Sequence, residues 1–107
     1  MSTTTERWIP VVPFAELADQ SGRAVDVAGK DLALFRSGEL VFALDNSCPH
    51  RGAALAEGVV SEGQVACTWH GWRFELATGR CRTIPDERAR TWPVRVVAGV
   101  VEVDVGA

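Results

Sequence analysis

Four side chains with the chemistry of metal ligands lie in two short stretches of the chain. Cys48 and His50 have one residue between them, and Cys67 and His70 have two. The chain contains two histidines and three cysteines, so these stretches hold both histidines and two of the cysteines. Thiolate sulfur and imidazole nitrogen bind zinc and iron, and a glycine follows each pair within two residues, where the backbone can turn sharply. The pattern predicts a metal centre built from two ligand loops.

Three interpretations of this centre differ in what they require of the spacing. In the first, the cysteines are small core hydrophobes and the histidines are hydrogen-bonded polar residues, which leaves the pairing of the two residue types unexplained. The second is a structural zinc site, but zinc modules usually pair cysteine with cysteine and then histidine with histidine. The third is a two-iron cluster in which histidine replaces cysteine on one iron. One cysteine and one histidine in each stretch favour the third.

The two stretches resemble the signature of the Rieske [2Fe-2S] proteins. The matching pattern is Cys48-x-His50-x16-Cys67-x2-His70, accompanied by Gly52, Gly71 and Trp72. The resemblance continues through residues 72–79, 84–85 and 93–96, and so covers nearly all of the chain. It implies one Rieske-type [2Fe-2S] cluster in which Cys48 and Cys67 hold one iron. His50 and His70 then hold the other iron.

The length and the apolar pattern predict one all-β domain. A chain of 107 residues is large enough for one core and too short for a second catalytic unit. Short β-prone segments indicate an edge strand at 8–13, hairpins over 32–44 and 94–105, and strands at 59–60 and 65–66, with a turn at 21–22. The resemblance implies an antiparallel β-sandwich with an inserted cluster-binding subdomain. We therefore expect a single Rieske [2Fe-2S] domain over 1–107, with cluster-binding loops at about 45–85.

Composition and charge exclude several classes of function. The net charge is -3 and no basic run is present, which argues against nucleic-acid binding. Residues 1–7 are polar and lack the apolar segment of a secretory signal, and no stretch approaches the roughly 20 apolar residues of a membrane helix. We expect a cytoplasmic protein with no membrane partner. In that reducing compartment a disulfide between Cys48 and Cys67 is disfavoured.

Several side chains near the ligands allow two interpretations each. Trp69 and Trp72 either shield the cluster and offer a surface to a partner, or pack as ordinary aromatic residues. Arg51 and Arg73 are either solvated or take part in partner docking. The third cysteine, Cys81, lies outside both ligand loops, and we expect a buried, small apolar residue and not a fifth ligand.

The resemblance also implies a low reduction potential. High-potential relatives carry a cysteine in each ligand loop, joined as a disulfide, and the matching positions here are Ala53 and Trp69. Those relatives also place serine and tyrosine hydroxyls where this chain has Trp72 and Phe74. Without these hydrogen-bond donors the reduced cluster is less stabilised, which predicts a potential of about -150 mV, at the low end of the Rieske range.

The function implied by the resemblance is electron transfer. We expect a soluble, oxygenase-associated ferredoxin that carries single electrons from a flavin-containing reductase to a terminal oxygenase. It would be a non-catalytic component, because a complete oxygenase needs two further histidines and a carboxylate for mononuclear iron. One alternative is the small Rieske subunit of an NAD(P)H-dependent nitrite reductase, with that enzyme's large subunit as its partner. The other is a zinc-stabilised interaction module.

Overall fold

Ten short antiparallel strands form the architecture of the residues that the computed structural model describes, 8–47, 54–67, 71–84 and 86–105. The strands are β1 (Trp8–Pro13), β2 (Ser21–Val27), β3 (Lys30–Ser37), β4 (Leu40–Asp45), β5 (Val59–Ser61), β6 (Gln64–Ala66), β7 (Arg73–Glu75), β8 (Thr91–Trp92), β9 (Val94–Val97) and β10 (Val100–Asp104). Two 3-10 turns, Phe14–Glu16 and Leu55–Glu57, are the helical elements of this part of the chain. The all-β fold class is confirmed.

The first sheet has the strand order β1-β10-β9. β1 lies at an edge, as its two prolines predict, because a proline has no N–H to donate to a ladder. Its register with β10 shifts between Pro10 and Val12, the irregularity that a bulge produces. β9 and β10 form the expected hairpin across residues 98–99.

The second sheet has the order β2-β3-β4-β8. β3 and β4 form the expected hairpin. The turn expected at 21–22 is wrong, because Ser21 and Gly22 already pair with Arg36 and Phe35 in the ladder between β2 and β3. The turn lies just before them, where the backbone N–H of Gln20 donates to the carbonyl of Arg36.

A third sheet, of order β5-β6-β7, is inserted in sequence between β4 and β8. Isolated bridges extend it beyond β7, first from Phe74 to Cys81 and then from Arg80 to Arg88. A smaller subdomain therefore projects from two basal sheets, which is the insertion that the family resemblance implies.

β3 joins the two hydrophobic cores of the molecule. Its central residues, Leu32 to Phe35, are fully buried without interruption. Successive side chains of a strand point to opposite faces, so Leu32 and Leu34 pack with Val101 and Val103 in the basal core. Ala33 and Phe35 instead pack in the core beneath the third sheet. β3 thus connects the basal sheets directly to the subdomain. Among the described residues, no helix is long and apolar enough to cross a bilayer.

Candidate metal centre

The second ligand loop closes a hairpin between β6 and β7. Ala66 pairs with Arg73 in that ladder, directly outside the loop. One step further in, the Cys67 N–H donates to the Trp72 carbonyl at 2.7 Å, and the Gly71 N–H donates to the Cys67 carbonyl at 2.8 Å. The loop therefore leaves and returns at adjacent positions. His70 lies outside the described residues, between these two fixed ends.

Gly71 is required in this loop by its backbone conformation. Its φ is +69°, in the left-handed region that favours glycine. An added Cβ would meet no atom within 4 Å. The constraint is therefore conformational and not steric, which explains the sequence signal of a glycine directly after the second histidine.

Cys67 supplies the thiol of this loop. It is 1% exposed and forms no disulfide. It belongs to the core beneath the third sheet, together with Phe74 and Leu76. A buried free thiol at the start of a loop closed on itself is available as a metal ligand.

The first ligand loop is also closed at its base. Ser47 forms an antiparallel bridge with Ala54, and the Leu55 N–H donates to the carbonyl of Asn46 at 2.6 Å. The six residues between these ends, which include Cys48 and His50, lie outside the described residues. The loop's entrance and exit are nevertheless held side by side.

Asn46 fastens this base to the rest of the molecule. Its side-chain oxygen accepts from the Ala56 N–H at 2.9 Å, and its side-chain nitrogen donates to both carboxylate oxygens of Asp31 at 3.2 Å. At 5% exposure, Asn46 is the one buried polar side chain among the described residues. The sequence does not indicate this role, because asparagine before a loop also suits an ordinary turn. Asn46 links the loop's entrance, its exit and strand β3.

Gly58 places the two loops at the same end of the subdomain. It follows the 3-10 turn that leaves the first loop, and it packs against the Ala66 carbonyl and the Val65 side chain of β6. A Cβ at position 58 would overlap both. The next residue, Val59, pairs with Ala66, directly before Cys67. The exit of the first loop and the entrance of the second therefore lie next to each other.

The other residues singled out from the sequence divide into three groups. Trp69 and Arg51 lie outside the described residues. Trp72 is half-buried and packs against the core that contains Cys67, whereas Arg73 is exposed. Cys81 is buried, as expected, and its sulfur accepts the Ile84 N–H at 3.3 Å. That bond holds the start of the third loop, at 84–86, of which Pro85 is not described.

The described residues contain no group of three or more metal-ligating side chains, because Cys67 is the one proposed ligand among them. The observations that do bear on a metal centre are the buried free thiol and the two loops closed side by side. This arrangement fits a cluster held at the tips of two neighbouring loops.

Comparison with known proteins identifies the family. The sequence model of the Rieske [2Fe-2S] domain matches residues 7–99. The chain belongs to the Rieske [2Fe-2S] family. It accordingly carries a single Rieske-type [2Fe-2S] cluster.

Known Rieske proteins match this one over nearly its whole length. It is 36% identical over 104 residues to the anthranilate 1,2-dioxygenase ferredoxin subunit of Burkholderia cepacia, and the match covers 96% of each chain. It resembles the structure of a putative NADH-dependent nitrite reductase small subunit from Mycobacterium tuberculosis, with a TM-score of 0.90, 26% identity and coverage of 97% and 99%. It also resembles a chain in a complex of reduced oxygenase and oxidised ferredoxin in carbazole 1,9a-dioxygenase, with a TM-score of 0.83, 27% identity and coverage of 91% and 92%.

Proposed function

We propose that this Rieske protein is a ferredoxin that carries single electrons from a flavin-containing reductase to a terminal oxygenase. The observation that carries the proposal is the end-to-end match to a dioxygenase ferredoxin subunit, which leaves only 4% of either chain unmatched. A match of that extent supports the function of a dioxygenase ferredoxin subunit for this chain. We further propose that it acts in the cytoplasm, where the free thiols Cys67 and Cys81 stay reduced.

We assign Cys48, His50, Cys67 and His70 as the ligands of the cluster. Cys48 and Cys67 would hold one iron, and His50 and His70 the other. The fixed ends of both loops support this assignment, since they converge beside Cys67. When bound, the cluster supplies a one-electron redox couple whose oxidised form is neutral with two thiolate and two neutral imidazole ligands.

The protein's own residues determine how that couple is held and reached. The buried Cys67 thiol lies against the apolar core, which excludes water from one side of the site. Asn46 fixes the base of the first loop to β3 through its hydrogen bonds to Asp31 and Ala56. A base held in this way suits a carrier, because electron transfer is favoured when little of the protein rearranges.

A second candidate function is that of a nitrite reductase small subunit. It is favoured by the TM-score of 0.90 and nearly complete mutual coverage with one such protein. The sequence supports the ferredoxin through its 36% identity to the dioxygenase ferredoxin subunit. In both functions the chain passes electrons to a larger protein and carries out no substrate chemistry itself.

The deciding experiment uses tagged, cluster-loaded protein to capture its partner from the source cells, followed by stopped-flow electron transfer to that partner. Our proposal expects a terminal oxygenase that accepts electrons from the reduced chain, together with a flavin-containing reductase that supplies them. Capture of a nitrite reductase large subunit, with reoxidation that depends on nitrite, would establish the second candidate. Product formation from an oxygenase substrate with reductant and this chain alone would overturn both.

A further inference from the structure

The outer face of the extended third sheet carries four arginines beside the second ligand loop. β7 is bridged to the segment 80–82, and that segment is bridged to 87–89. Phe74 and Cys81 point inward from this sheet and are buried. The alternating residues are exposed on the other side, and we call them the arginine face: Arg73, Arg80, Arg82 and Arg88.

Two pairs of like charges oppose each other on this face. Arg80 is bridged to Arg88. The backbone N–H of Arg82 donates to the backbone carbonyl of Arg73, which places these two arginines opposite each other as well. Like charges directly opposite each other destabilise a sheet. A stability-driven sequence would avoid this arrangement.

The carboxylates nearby neutralise only part of this charge. Glu75 lies between the two pairs and bonds to Arg82 at 2.8 Å. Asp86 and Glu87 line a hollow with Arg80 and Arg88. Within the described residues, however, no ion pair joins Arg73, Arg80 or Arg88 to a carboxylate.

The distribution of charge makes this face distinct from the rest of the molecule. Residues 71–90 contain five arginines and three carboxylates, a net charge of +2. The remaining residues contain six basic and eleven acidic side chains, a net charge of -5. An acidic protein would therefore be attracted to this face and repelled elsewhere.

We propose that the arginine face is the docking surface for an acidic patch on the protein's redox partner, an inference that rests on the proposed electron-transfer function. The four arginines spread over β7 and the two segments bridged beyond it, about 10 Å across and about 7 Å along the sheet. That spread matches several carboxylates on a protein surface better than one small anion. Arg73 follows the second ligand loop directly, so a partner seated here lies beside the cluster.

Plastocyanin, an acidic blue-copper protein, is a suitable probe. One electron passes from the reduced chain to Cu(II), giving Cu(I) and the oxidised chain, and no proton or further reactant is needed. The rate is followed by loss of the blue colour, over a range of sodium chloride concentrations. Basic cytochrome c is the opposite-charge probe.

We expect the wild-type rate with plastocyanin to fall as salt rises. The double variant Arg80→Gln and Arg88→Gln should lower the low-salt rate about fivefold or more and flatten its salt dependence. The control with the same change of charge is Arg23→Gln combined with Lys30→Gln, which removes two exposed basic side chains from β2 and β3 in the basal sheet and should change the rate less than twofold. If the double variant behaves like this control, or if the wild-type rate rises with salt, the proposal is wrong.

Further measurements separate loss of docking from misfolding, from failure of the proposed function and from a small-anion site. The double variant should unfold at the same or a higher urea concentration than wild type, because it relieves the repulsion between positions 80 and 88, so a slower reaction cannot be attributed to misfolding. The arginine face is tested independently of electron transfer by binding of the oxidised chain to oxidised plastocyanin, followed by backbone chemical shifts. If the chain accepts no electron from dithionite, that failure refutes the proposed function alone, and the binding measurement still tests the face. Phosphate that suppresses the reaction far more than chloride of equal ionic strength would indicate a small-anion site and overturn protein docking.

Discussion

At the scale of single residues, the ligand assignment gives opposite predictions for the two histidines and for the third cysteine. Replacing His50 or His70 with Ala removes a neutral nitrogen ligand, and we expect each variant to lose the Rieske absorption and electron paramagnetic resonance spectra. Cys81→Ser should keep both spectra, because Cys81 lies outside the ligand loops and its sulfur accepts a bond from Ile84. The measurement is spectroscopy of all three purified variants.

The Cys81→Ser variant is the control for the two histidine variants. Serine at position 81 retains an oxygen that can accept the Ile84 N–H, so the third loop should hold its conformation. A Cys81→Ser protein that binds no iron would show that the ligand set is wrongly assigned.

Asn46 gives a second prediction at this scale. Asn46→Ala leaves the buried Ala56 N–H without its acceptor and should lower the free energy of unfolding by about 1–3 kcal/mol. Because this residue ties the first ligand loop to β3, the variant should also retain less iron per chain after dialysis. Urea unfolding and iron analysis measure the two effects.

The conservative variant Asn46→Asp distinguishes the two halves of that network. It keeps an oxygen for the Ala56 N–H but places a second carboxylate beside Asp31. We expect it to be destabilised as well, through charge repulsion. Unchanged stability and iron content in both variants would show that Asn46 does not stabilise the first ligand loop.

At the scale of elements, the edge strand, the hairpins and the short strands β5 and β6 were predictable, whereas β7 and β8 were not. The hairpin of β9 and β10 alternates apolar and polar residues around a glycine turn, which is a local signal. β7 and β8 have three and two residues, too few to show a period, and their pairing comes from distant parts of the chain. The role of Asn46 was hidden for the same reason, because its partners are ten and fifteen residues away.

The ligands themselves were predictable because their chemistry is rare in this chain. Two histidines and two of three cysteines gathered in two stretches identify a metal centre without any knowledge of the fold. The arginine face was not predictable. Its opposed pairs depend on bridges between segments that read as loops in the sequence.

The extension of the third sheet beyond β7 has a testable pH dependence. The Arg82 guanidinium and the Thr78 hydroxyl, which hydrogen bond to Glu75, hold the pKa of that carboxyl below its ordinary value of 4.5. A lowered folded-state pKa means that the stabilisation is fully present above the unfolded-state pKa and is lost as pH falls through the folded-state pKa. Glu75→Gln should therefore lower the urea midpoint at pH 7.

The difference between Glu75→Gln and wild type should disappear once both forms are uncharged at position 75. We expect the two urea midpoints to converge as the pH falls through the folded-state pKa of Glu75. A difference that stays the same from pH 7 to pH 3 would mean that shape or packing at this position matters, and not the charge on Glu75.

At the scale of the whole molecule, the surroundings of the cluster determine how readily the chain takes up an electron. Phe74 is fully buried in the core that contains Cys67, and neither it nor the half-buried Trp72 has a hydroxyl. We expect Phe74→Tyr to raise the potential if the new hydroxyl reaches sulfur, by about 65–130 mV for one charge-assisted hydrogen bond. Adding an atom to this core should also cost stability, about 1–3 kcal/mol.

Protein-film voltammetry and a crystal structure of Phe74→Tyr test this mechanism together. A hydroxyl seen in contact with sulfur, with no change in potential, would refute the hydrogen-bond explanation. The wild-type potential is the reference for the comparison.

The central claim is that this chain carries one electron at a time through a Rieske cluster held by Cys48, His50, Cys67 and His70. Its most direct test is an anaerobic, potential-controlled reductive titration of protein whose iron and labile sulfide are counted in the same sample. We expect two irons, two sulfides and the uptake of one electron per chain in a single step at about -150 mV. Stoichiometric zinc without labile sulfide after iron-replete production, or a midpoint above about +100 mV, would contradict it.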